Sequence, residues 1–330
     1  MSCRLLTISI LIASSAASAE EPGRLRQPAG VYDVLQQNTW YLPTNDGAAK
    51  LLVTDIGDGS PVVFLHGGPG NDFQYVIDAL LPHLRDHRFL LFDDRGSLLS
   101  PVKADRVDTI TLDHMVEDLE ELRKATDQDR LTIFGHSFGS LLALAYFKAH
   151  PDHVERLVLT GSFPPDTSLP ELAAVMRPRQ KALRERPAVA DTLALEGLSG
   201  PDDTLTARQR SMKARITGNA ALNVMNLNRW RQNVGGGVYY NRLVDERVAS
   251  SISGRLDFGE ALLAHPVPVT IIQGDCDYID PGASAWRSFA AAHPTLKIRV
   301  NVIAAASHYA WIDGPAAFRR ALARGLSRIP

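Results

Sequence analysis

The chain has 330 residues, 45% of them hydrophobic and 22% charged, with a formal net charge of −2. That is ample material for a core, and the length fits either two domains or one core with a large insertion. The near-neutral balance gives no electrostatic reason to expect a nucleic-acid partner.

The N-terminus reads as a secretory signal peptide. Arg4 supplies the positive end, Leu5 to Ala13 the short apolar run, and Ala17-Ser18-Ala19 the cleavage site, so the mature chain is expected to start at Glu20. The apolar run is far shorter than the roughly 20 residues that span a bilayer. A periplasmic or secreted protein with no stable membrane anchor after cleavage is therefore expected. Cys3 would leave with the peptide, and Cys276 would remain without a partner for an intramolecular disulfide.

Glu20 to Gly30, with Pro22, Gly23 and Pro28, reads as a loose leader. Thr39 to Leu42 and Lys50 to Asp55 read as the first strands, with a turn at Asn45-Asp46-Gly47. Pro61 to Leu65 is a continuous apolar run, hence a buried strand, and ends at His66-Gly67-Gly68-Pro69-Gly70. Val76, Ile77, Leu80, Leu81 and Leu84 follow at helical spacing. Arg88 to Phe92 is a further buried strand, ending at Asp93-Asp94-Arg95-Gly96. Thr111 can cap a helix whose apolar face is Leu112, Met115, Leu119 and Leu122. Strands are expected at Leu131 to Phe134 and Arg156 to Leu159, with a helix from Leu141 to Phe147 between them.

This alternation implies βαβ units and a mostly parallel sheet. It breaks after Gly161, where the chain to about Leu263 reads as helices and loops. Pro164-Pro165 opens that stretch and His265-Pro266 closes it. The alternation then resumes with a strand at Val267 to Ile272, a helix at Ala283 to Ala292, a strand at Leu296 to Ile303 and a helix at Pro315 to Leu326.

The chemistry centres on Gly135-His136-Ser137-Phe138-Gly139. A Gly-x-Ser-x-Gly between a strand and a helix is a nucleophile elbow, whose glycines remove the Cβ atoms that would block so sharp a turn. A serine hydroxyl needs an adjacent base, oriented in turn by a carboxylate. In the α/β-hydrolase chain order the acid and then the histidine follow the serine in loops after strands. His308 is the one histidine in the last such loop; His293 precedes that strand, at the wrong end of the sheet. Asp277 is the preferred acid and Asp275 the runner-up; Asp280 follows them a few residues later in the chain. Phe138 N–H and Gly68 N–H are the expected oxyanion donors. His136 reads as support for the elbow and Cys276 as a packed thiol. Arg177, Arg179, Lys181, Arg184 and Arg186 read as a solvated helix face, and Gly235-Gly236-Gly237 as a flexible bend. No histidine pair has metal-ligand spacing, so no metal or other cofactor is expected.

These motifs resemble the prolyl aminopeptidase (proline iminopeptidase) family of α/β-hydrolases over roughly residues 40–162 and 264–328. His66-Gly67-Gly68-Pro69-Gly70 carries most of the likeness. Asp93-Asp94-Arg95-Gly96 with Ser97 and Ser100 is similar to the family's Asp-Gln-Arg-Gly-x-x-x-Ser. Gln273-Gly274-Asp275-Cys276-Asp277 matches its Gly-Arg-Tyr-Asp at the final aspartate, which favours Asp277, and Ser307-His308 matches its Gly-His. The resemblance implies a triad of Ser137, Asp277 and His308 and release of an N-terminal residue, typically proline, from short peptides.

The expected architecture is an α/β-hydrolase fold, a mostly parallel eight-stranded sheet with a helical cap inserted after strand six. Its parts would be a signal peptide over 1–19, a leader over 20–30, core over 31–162, cap over 163–263 and core over 264–330. The chain departs from the family at Asp94, where the family has glutamine, and in two further regions. The elbow has His136 and Phe138 where the family has Gly and Trp. The family also binds the substrate amine with cap glutamates, one following a tryptophan, whereas Trp230 is followed by Arg231. Glu171, Glu185, Glu196, Glu246 and Glu260 are the cap glutamates at hand. An ester or lactone hydrolase with the same triad, and a non-catalytic binding protein, are the competing readings; the partner is a small peptide or ester.

Overall fold

The computed structural model describes residues 38–233 and 240–327. The expected signal peptide, the leader and the Gly235-Gly236-Gly237 bend lie outside the described residues. Eight strands form the central sheet: β1 (Trp40–Pro43), β2 (Lys50–Ile56), β3 (Ser60–Leu65), β4 (His87–Phe92), β5 (Leu131–His136), β6 (Val154–Thr160), β9 (Val269–Gly274) and β10 (Ile298–Ile303). Their spatial order is β1-β2-β4-β3-β5-β6-β9-β10. The pairs β1–β2 and β2–β4 are antiparallel. Every other pair is parallel. The expected α/β-hydrolase sheet is therefore present, with each strand within a few residues of its predicted place.

The central strands read as unbroken apolar runs because both faces of the sheet are covered. One core layer joins Val63, Leu90 and Ile133 to Met115, Leu141 and Trp286; the other joins Phe64, Leu91 and Phe134 to Ile77, Trp311 and Phe318. Helix α1 (Leu112–Ala125) starts at Thr111, whose hydroxyl accepts from His114 N–H at 3.2 Å, and buries Met115, Leu119 and Leu122. Helix α2 (Phe138–Ala149) is apolar on nearly every side and correspondingly buried. The helical spacing at 76–84 does not yield one helix. Short turns at Gln74–Val76, Ile77–Leu80 and Leu81–His83 replace it, because Pro82 has no N–H with which to continue the ladder.

Between β6 and β9 lie helices α3 (Leu169–Glu185), α4 (Pro187–Leu195), α5 (Ala207–Ala214) and α6 (Arg242–Ser251). Val189, Leu198, Ile216, Leu227 and Trp230 form a separate apolar cluster there. This stretch was expected to hold only helices and loops. It also holds an antiparallel ribbon, β7 (Asp166–Ser168) with β8 (Arg255–Asp257), where the chain leaves and re-enters the core. Three residues are too few to show the alternation that marks a strand. Helices α7 (Ser284–Ala292) and α8 (Pro315–Leu326) complete the second part.

One buried cation ties the loop after β4 to its surroundings. Arg95, 2% exposed, donates from Nε and Nη2 to Asp118 on α1 at 2.7 and 2.6 Å. It also reaches Asp46 in the β1–β2 turn at 2.9 Å and the Thr109 carbonyl at 3.1 Å. Removing one partner of a buried pair strands the other charge, which costs about 3–5 kcal/mol. Arg95→Met should accordingly lose about that much stability in urea denaturation. Arg255→Met, whose partners Asp166 and Glu171 are exposed, should leave the urea midpoint nearly unchanged.

Candidate active site

The parallel strands deliver their C-terminal loops to one edge of the sheet, and the candidate residues gather there. β5 ends at His136, and Ser137 takes φ 54° and ψ −122° before α2 begins. That left-handed turn costs a serine about 1–3 kcal/mol. Ser137 N–H donates to Thr160 O on β6 at 3.0 Å, and its carbonyl accepts from Ser140 N–H at 2.8 Å. Gly139 has no alternative, since a Cβ there would lie 2.0 Å from the Leu65 carbonyl oxygen.

Asp277 and His308 come together beside this elbow. Nδ1 of His308 lies 2.9 Å from Asp277 Oδ2, with the two side chains 3% and 0% exposed. Asp277 Oδ1 accepts from Ile279 N–H at 2.8 Å, which fixes the carboxylate. The His308 ring covers Gly161, where a Cβ would sit 2.6 Å from Cε1. Asp275 instead accepts from Ala305 and Ala306 N–H at 3.0 and 3.1 Å, bracing the loop that carries His308. Asp280 accepts from Ser284 Oγ and Ala285 N–H at the start of α7.

The glycine loop packs directly on the elbow, for a Cβ on Gly67 would lie 2.8 Å from Ser137 Cβ. Gly67 N–H is engaged by the Tyr75 hydroxyl. The amides of Gly68 and Phe138 have no hydrogen-bond partner among the described residues. Phe138 N–H also opens α2, whose dipole favours negative charge at that end.

Tyr75 is a site residue that the sequence reading missed. Its hydroxyl is hydrogen-bonded to His136 Nδ1 at 2.7 Å, so the glycine loop and the elbow share one phenol. Helical spacing marks the residues around it only as core. Tyr75, Tyr309 and Trp311 enclose the His136 ring, and its centroid lies 4.6 Å from that of His308. Burial, and then the neighbouring His308, hold His136 well below the ordinary histidine range, so it stays neutral. Cys276 is an inert thiol, pushed up to about 11 chiefly by burial. Glu120, His150 and His153 place possible ligand atoms within 4.8 Å of one another, a grouping that spacing did not reveal. Arg123 already grips both Glu120 oxygens, at 2.9 and 2.7 Å, so the cluster reads as an ion-pair network.

The histidine loop is also stapled to the segment before residue 230. Asp313 accepts from Ser307 N–H at 2.9 Å and from Met225 and Asn226 N–H at 2.9 and 3.0 Å. Tyr309 N–H donates to Asn223 O at 2.8 Å, and Arg229 to Ile312 O at 2.6 Å. Two of the five basic residues expected on a solvated face also turn inward. Arg179 donates to the Ile279 carbonyl at 2.8 Å, and Arg186 to that of Val224 at 2.5 Å.

Because the folded state keeps His136 neutral, unfolding below the ordinary histidine value of about 6.5 takes up a proton there. That share of stability is present above pH 6.5 and is lost as the pH falls below it. Thermal midpoints measured from pH 8 to pH 5 should fall more steeply for the wild type than for His136→Asn.

Residues 60–315 match the family described as the alpha/beta hydrolase fold. A probable proline iminopeptidase from Leptolyngbya boryana is 41% identical over 112 residues, 32% of this chain and 32% of that protein. Proline iminopeptidase from Arabidopsis thaliana is 43% identical over 149 residues, 42% of this chain and 38% of that one. The motif resemblance is thus matched by sequence similarity, although the matched segments span only about a third of these curated relatives. Among solved structures, a proline iminopeptidase-related protein from Thermus thermophilus aligns with a TM-score of 0.58 at 24% identity, covering 87% of this chain and 96% of that one. An esterase from Exiguobacterium antarcticum aligns at 0.57 and 20% identity, covering 86% and 97%. At those identities the two structures speak for the fold. Sheet order, elbow and family match agree: the chain belongs to the alpha/beta hydrolase fold family.

Proposed function

We propose that the protein is an exported serine hydrolase, an aminopeptidase that releases N-terminal proline or another small residue from peptides. The observation that carries this reading is the 2.9 Å contact between His308 Nδ1 and Asp277 beside the strained Ser137 elbow. Ser137 Oγ attacks the scissile carbonyl, and His308 Nε2 takes its proton and passes it to the leaving amine. The same imidazole then draws a proton from water for deacylation. Asp277 keeps the proton of the neutral imidazole on Nδ1 and stabilises the imidazolium. Gly68 and Phe138 N–H receive the developing oxyanion. A neutral His136 matters here, since a second imidazolium 4.6 Å away would oppose charge on His308. The similarity to proline iminopeptidases supports the peptide substrate, and the signal-peptide-like pattern of residues 1–19 supports export.

One observation favours the second reading, hydrolysis of carboxylic esters or lactones. A buried substrate amine needs a free carboxylate. Glu196 lies beside Trp230, accepting from its Nε1 at 3.1 Å, but Arg231 neutralises it. Glu171, Glu185 and Glu246 pair with Arg255, Lys181 and Arg242, and Glu260 is exposed to solvent.

Proline and alanine arylamides with free or blocked amines, compared with short acyl esters, separate the two readings. Cleavage is expected to require the free amine and to vanish in Ser137→Ala; turnover of esters alone would overturn the aminopeptidase. Asp277→Asn should lower kcat by about 10⁴, as for a triad aspartate. Asp275→Asn, which loosens only the loop, should cost far less.

A further inference from the structure

His66 opens the glycine loop, and its side chain is fully buried. Nδ1 lies 3.1 Å from the Gly67 carbonyl oxygen, an acceptor, so Nδ1 must carry a proton. The Gly67 carbonyl and the Gly68 N–H belong to one planar peptide unit, and holding the first orients the second. On the far side of the ring, Asp94 N–H donates to Nε2 at 3.3 Å, and Asp94 Oδ2 lies 3.5 Å from the same atom. Asp94 is 2% exposed, and Oδ2 has no hydrogen-bond partner of its own among the described residues. The adjacent cation, Arg95, is committed to Asp118 and Asp46.

We propose that His66 and Asp94 are positioning residues that aim the Gly68 N–H at the oxyanion, His66 through the Gly67 carbonyl and Asp94 by fixing the ring. The inference rests on the acyl-transfer reading above. The arrangement holds in either charge state of the ring. Neutral His66 accepts the Asp94 N–H at Nε2, and imidazolium His66 presents Nε2–H to the Asp94 carboxylate; Nδ1–H stays on Gly67 in both. Burial lowers the affinity of His66 for its second proton, but Asp94 and then Asp93 more than offset this and raise it. Asp93, which also faces the ring, is itself pushed up to about 7 by burial. Asp94 is chain-specific here, standing where the resembled family has glutamine.

The test exploits side-chain geometry. Asparagine can place an N–H where Nδ1 was; glutamine reaches only toward Nε2. His66→Gln should lower kcat by about 10², the scale of one lost oxyanion donor, with KM little changed. His66→Asn should retain most of the activity, and Asp94→Leu should fall between the two. In wild-type protein, ¹⁵N spectra of the His66 ring should show Nδ1 protonated from pH 6 to 9. Equal losses in the Asn and Gln variants, or a bare Nδ1, would overturn the proposal. The ring spectrum needs no turnover, so failure of the positioning role is distinguishable from failure of the hydrolase reading, which Ser137→Ala reports.

Discussion

The arrangement at the sheet edge depends on the backbone of Ser137. Its left-handed φ of 54° is unfavourable by itself and persists because the neighbours leave no room to relax. The β5–β6 register, with His136 opposite Thr160, brings the Thr160 carbonyl to the Ser137 amide. The close approach of Gly139 to the end of β3 then sets where α2 starts. Given that turn, the serine, the Phe138 amide and the glycine loop share one small volume. A different residue at 139 would move all three together.

Around that turn the protein keeps its charges few and assigned. His136 is buried and neutral and donates nothing to the field at His308. Tyr75 meets its Nδ1 while also occupying the Gly67 amide, and the Gly68 amide is left without a partner among the described residues. Asp277 is wholly buried and shares its two oxygens between the His308 ring and the Ile279 amide. In a low-dielectric setting, each such fixed partner reduces the reorganisation that a developing charge would otherwise require.

Much of this was legible in the chain. The parallel strands are buried on both faces and so appear as apolar runs, and a Gly-x-Ser-x-Gly between a strand and a helix marks the elbow directly. What stayed hidden depends on contacts between distant residues. Asp275 and Asp277 are two positions apart in one loop, and only the fold shows that one brackets the Ala305–Ala306 turn while the other meets His308. Tyr75 meets His136 across 61 positions of sequence, so no local pattern marks it. Periodicity at 76–84 predicted a helix that Pro82 breaks, and a three-residue ribbon was too short to leave any period at all. Arg179 and Arg186 sit in a basic run that looks solvated until the carbonyls they reach are known.

The staple at Asp313 has a mechanical consequence. Residues 222–229 and the loop carrying His308 are joined through carbonyls, amides and one carboxylate. The two therefore move as one body. Force applied to this part of the insertion is transmitted to the His308 imidazole, and lifting it would carry that ring away from Ser137. On the proposed mechanism, a passage for substrate has to open along some other border of the insertion. The placement of the His308 ring beside Ser137 is preserved only while these hydrogen bonds hold.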